Sequence, residues 1–102
     1  MNEGEIRFVR IFRTESSERF VAQRDDVEIA SIDLHFLPGS QVAGTVVILS
    51  QQVEDSNVAS LLKRIDDELL PDASIETGSV SFAVVRGTFV GNFVPETATA
   101  IT

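Results

Sequence analysis

Cysteine is missing from all 102 residues, which removes disulfides, thiolate zinc sites and cysteine nucleophiles from consideration. Its absence fits a reducing compartment. Tryptophan and tyrosine are missing too, so the aromatic content is seven phenylalanines. No stretch approaches the ~20 apolar residues that cross a bilayer as a helix. The opening MNEGEIRF carries acids and no long apolar run, so no secretory signal is expected. These absences point to a soluble, cytoplasmic protein with no membrane association.

Catalytic and metal-binding signatures are equally scarce. There is one histidine, His35, and no HxH or HExxH spacing around it. The acids at Glu54-Asp55 and Asp66-Asp67-Glu68 lack the alternating ligands and central glycine of a calcium loop. They read instead as a helix start that complements the helix dipole and a solvated helix face. The glycines of GTFVG, at 87 and 91, sit in a strand-like pattern with no helix after them, so they do not form a phosphate cradle. No cofactor is expected, and enzymatic activity is not indicated.

The charge that is present is acidic, with a formal net of −8, which repels nucleic acid over most of the surface. Its distribution is uneven. Residues 1–24 hold five arginines (Arg7, Arg10, Arg13, Arg19, Arg24) against four acids. The bland account is that these arginines face solvent and pair with neighbouring acids. The sharper one is a platform on which Phe8 or Phe12, beside Arg7, Arg10 and Arg13, stacks single-stranded bases.

A chain 43% hydrophobic and 24% charged suits one globular domain with a single core. The organising stretch is Val27–Ser50, where runs over 27–36 and 42–49 flank a break holding Pro38, Gly39 and Ser40, a hairpin signal. Before it, 5–14 and 19–24 read as strands separated by turn-like 15–18, and Asp25-Asp26 supplies a tight turn. Connections this short join antiparallel neighbours, so the first four strands form a meander. Val58, Leu61, Leu62, Ile65 and Leu69 then recur at helical spacing after cap candidates Asp55, Ser56 and Asn57, and Pro71 stops the helix near Leu70. Residues 72–78 read as a loop. Residues 79–93 read as one long strand bent at Gly87 or Gly91, with a hairpin at Arg86-Gly87 as the alternative. Gly44, inside the fourth strand, marks a bulge or a close approach.

The expected fold is α+β: an antiparallel sheet of about five strands with one helix on one face. Alternating strand directions make the last strand antiparallel to the first, and the simplest order is 5-1-2-3-4. The domain covers 1–94, and 95–102, PETATAIT, reads as a flexible tail.

One helix of about 15 residues is ~22 Å long and covers one side of some three strands. The other side keeps Val9, Ile11, Val21, Ile29, Val47, Leu49, Val85 and Phe89, and leaving such side chains wet forfeits roughly 1.5–3 kcal/mol each. A patch of that kind implies a partner, most simply a second copy packed sheet to sheet. Closure of the face by the last strand or tail is the competing expectation. Ser31, Asp33 and His35 share a strand face, but i and i+2 neighbours stand about 7 Å apart, too far for a hydrogen-bonded triad. The leading reading is a small noncatalytic accessory or protein-interaction module that self-associates as a homodimer or higher. The second is a small-molecule binding protein or enzyme with a pocket between subunits lined by His35, Asp33 and Arg10. The third is a single-stranded nucleic-acid binder using the arginine-rich first strands.

Overall fold

The computed structural model describes residues 5–70 and 78–94. Strands β1 (Ile6–Arg13), β2 (Ser17–Arg24), β3 (Val27–Leu37) and β4 (Gln41–Ile48) are followed by a 3-10 turn (Asp55–Asn57), helix α1 (Val58–Leu69) and strand β5 (Val80–Arg86). The sheet has the order β1-β2-β3-β4-β5. The first three pairings are antiparallel and β4–β5 is parallel, so the α+β sheet is mixed. The tail at 95–102 and most of the 72–78 loop lie outside the described residues.

The last strand corrects the expected order. Its direction, antiparallel to β1, agrees with the alternation of the chain, but it lies beside β4 at the opposite edge. Adjacent strands are ~4.8 Å apart, so the far side of β1 is about four spacings from β4, and the near side is one. The charge-free segment Val80–Val85 also packs better on β4 than beside Arg7, Arg10 and Arg13. β1 is therefore an edge strand rather than an interior one, and its arginines and a bulge at Ile11 discourage further pairing. β5 is also shorter than expected. It ends at Arg86, with neither a bend nor a hairpin, and residues 87–94 carry no strand pairing.

Local chemistry explains the turns. Asp25 and Asp26 both have positive φ (54° and 65°) in the two-residue connection between Arg24 and its partner Val27. That is the geometry a right-twisted hairpin favours, and aspartate tolerates it better than most residues. At 38–40, Gly39 and Ser40 take φ of 78° and 61° and bring Leu37 opposite Gln41. Gly44 marks a close approach. A Cβ there would fall 2.5 Å from Cδ1 of Phe82 on β5, so the missing side chain is the seat of that ring.

One face of the sheet forms the core with the helix. Phe20 and Ala22 of β2, Ala30, Ile32 and Leu34 of β3, Val46 and Ile48 of β4 and Val80 of β5 are buried with Leu61 and Ile65 of α1. Ile6, Phe8, Phe82 and Val84 pack against this cluster from the outer strands. A bulge decides one further member. Ala22 pairs with Ala30 and Gln23 with Glu28, leaving Ile29 as the extra residue of β3. The bulge re-aims its side chain, and Ile29 is completely buried in the helix-side cluster. It therefore does not belong to the opposite face, where strict alternation would put it.

Candidate functional site

Within one chain, the residues singled out by type and spacing are divided between the two faces of the sheet. Asp33 is held by Arg19, whose Nε and Nη2 donate to Oδ1 and Oδ2 at 2.6 and 3.1 Å. Hydrogen bonding to Asp33 raises the Arg19 pKa above its ordinary value, with the carboxylate charge adding to the effect against burial. The guanidinium also lies 5.1 Å from the centre of the Phe12 ring. His35 is exposed and stands opposite Ser17 and Ala43. Arg10 points to the helix side, opposite buried Phe20, and pairs with Glu18 at 3.4 Å. Asp33 and His35 thus share one face of the sheet while Arg10 is on the other. Among the described residues, no three of His, Asp and Glu approach one another closely enough to hold a metal ion. No helix among them is long and apolar enough to cross a membrane.

The basic first strands are divided in the same way. Arg10 and Arg13 converge on Glu18, Arg7 donates to Gln23 at 3.3 Å, and Arg19 bonds Asp33. Pairing Arg10 with Phe20 and Arg19 with Asp33 in register puts the first on the helix side and the second on the open side.

Two surfaces stand out among the described residues. The first is the sheet face turned away from α1. Val9, Val21, Ser31, Val47 and Val85 form one continuous row across all five strands, each opposite the next. Val85 is 52% exposed, and Val9, Val21 and Val47 are partly buried by their neighbours. Arg19 and Asp33 make the polar part of the next row, which begins with half-exposed Phe12. Ile11 is exposed at the β1 bulge, and Leu49 is half-buried just past the end of β4. Beyond β5, Phe89, Val90, Phe93 and Val94 are all at least 63% exposed, so this segment does not close the face.

The second surface is a cleft of about 280 Å³ on the helix side, lined by Ile6, Arg24, Ile29, Val53, Asn57, Ser60, Leu61 and Arg64. Sequence reading passed over it because its parts come from β1, β2, β3, the connection after β4, the 3-10 turn and the first two turns of α1. A signal existed in Arg24, which shares its strand parity with Phe20 and Ala22 and so puts a cation on a core-facing row. Arg64 donates from Nε and Nη2 to Glu68, and from Nη2 at 3.2 Å to the Ile6 carbonyl, tying α1 to β1. The wall at Val53 is held by Arg86, which donates to the carbonyls of Ser50 and Val53 and to the Asp55 carboxylate.

Compared with known proteins, the chain matches no protein-family model, no curated protein and no solved structure.

Proposed function

We propose that this chain is a small noncatalytic interaction module that self-associates, the open face of its sheet packing on that of a second copy. The observation that carries this reading is the row Val9–Val21–Ser31–Val47–Val85, valine at four of its five positions, continuous in register and on the sheet face turned away from α1. Two such faces stack about 10 Å apart, with the side chains of each sheet interdigitating. A two-fold arrangement lets one patch serve both copies. Exposed Ile11, Phe12, Phe89 and Phe93 widen the apolar area available for contact. The Arg19–Asp33 pair already satisfies its own charges, so it can lie within such an interface without leaving an unpaired ion.

Light scattering at micromolar concentration tests the proposal. The expected species has at least twice the 11.1 kDa mass of the chain. Val47→Lys with Val85→Lys should return it to the single-chain mass while far-UV circular dichroism is unchanged, because neither side chain is in the helix-side core. A wild-type chain that scatters as one copy, or an assembly indifferent to both lysines, would overturn the reading.

A further inference from the structure

We propose that the helix-side cleft is a binding site for a small organic monoanion, a carboxylate with a short apolar body held by Arg24 and Arg64. Its 280 Å³ lies near the small end of ligand-sized pockets. Although the chain carries a net charge of −8, neither Asp nor Glu lines this cleft among the described residues, and two guanidinium groups do.

The two arginines differ in a way that selects the ligand. Arg64 is largely neutralised by Glu68, whose Oε2 accepts both its Nε and Nη2 at 2.9 and 2.6 Å. Arg24 has no carboxylate partner among the described residues, and its buried Nε has no hydrogen-bond acceptor. A buried donor left unsatisfied is destabilising, and a charged one more so. The cleft therefore carries a net charge near +1, matched by a carboxylate rather than by a phosphate dianion. A planar oxyanion is also the shape a guanidinium fork binds best. Ile6, Ile29 and Leu61 provide an apolar floor for the rest of the molecule, with Ile29 brought there by the β3 bulge. The site faces away from the open sheet surface, so it does not depend on self-association.

Hexanoate serves as the probe, with hexanamide as its uncharged counterpart and inorganic phosphate as the competing anion. In amide-resolved NMR titrations of the whole chain, hexanoate should give saturable shifts at Asn57, Ser60 and Leu61, at least about tenfold tighter than hexanamide or phosphate. Arg24→Gln removes a charge-assisted donor and should weaken hexanoate by about tenfold or more. Arg24→Lys, keeping the charge without the fork, should fall between. Should Arg24→Gln lose its dispersed spectrum, Arg24→Lys against the parent chain carries the comparison, with weaker hexanoate binding expected. Equal binding of hexanoate and hexanamide, tighter binding of phosphate, absence of saturable shifts, or affinity unchanged in the arginine variants would each overturn the assignment. Absence of saturable shifts is the outcome expected if an ordered water alone satisfies the Arg24 Nε, and unchanged affinity is that expected if hexanoate binds elsewhere.

Discussion

Replacing Gly44 by alanine adds a single methyl group at the seam between β4 and β5. An ideal Cβ at that position falls 2.5 and 2.6 Å from Cδ1 and Cε1 of Phe82, and 3.3 Å from Cδ2 of Leu34. Carbon atoms rest about 3.5–4.0 Å apart, so the ring must retreat by roughly 1 Å or rotate away. Phe82 is only half-buried, so it can swing toward solvent without forcing the two strands apart. Overpacking of this kind costs about 1–3 kcal/mol. Alanine recovers about 0.5–1 kcal/mol relative to glycine in a strand. The net expectation is a loss of about 1–2 kcal/mol, where each kcal/mol lowers Tm by roughly 4–8 °C in a domain of this size. Urea denaturation of Gly44→Ala, Phe82→Leu and the double variant isolates the contact. Leucine removes the ring edge, so the alanine should be tolerated in the double variant, with a coupling of about 1 kcal/mol or more between the two positions. An alanine variant as stable as the parent, or two losses that simply add, would refute the seating of Phe82 on Gly44 and with it the argument for where β5 lies.

Arg86→Gln should lower stability by about 1–2 kcal/mol in chemical denaturation, because it leaves the Ser50 and Val53 carbonyls and Asp55 without their guanidinium donor. Arg86→Lys, a single point of charge, should recover only part, and full recovery would mean that the forked geometry is unimportant. Asp26→Gly, at φ 65° in the two-residue hairpin, should be stabilising by a few tenths to about 1 kcal/mol, seen as a higher thermal midpoint. A lower midpoint would refute the preference for glycine expected at that positive φ. Ile29→Ala should cost about 2–5 kcal/mol as a core truncation, whereas Asp33→Asn, loosening a half-exposed ion pair, should cost no more than about 1 kcal/mol. Equal losses in urea melts would contradict the separation of the two faces.

Much of the architecture is written in short-range patterns. The period-two rows of β2, β3 and β4, the helical spacing of Val58, Leu61, Leu62, Ile65 and Leu69, and the paired aspartates at 25–26 each specify their own element, and the elements appear with ends shifted by a residue or two. β2 begins at Ser17 because the Thr14 amide donates to the Ser17 carbonyl, tightening the turn beyond what four polar residues suggest. The open apolar row is also visible as a pattern, since it requires only alternation along each strand. The candidate site is less legible. Asp33 and His35 stood out by residue type, yet Asp33 is committed to an arginine 14 positions away, and Arg10 is on the other side of the sheet.

Side-chain periodicity is a property of a few successive residues, so it reached as far as the type of each element, its direction along the chain and the side its apolar row faces. Which strand becomes whose neighbour depends instead on surfaces far apart in the chain fitting together, as Phe82 fits the bare backbone of Gly44. A single extra residue in β3 reverses the parity that a linear pattern assumes and turns Ile29 inward. Folding then gathers Arg24 and Arg64, 40 positions apart, around one cleft, an arrangement that exists only once helix and sheet have packed.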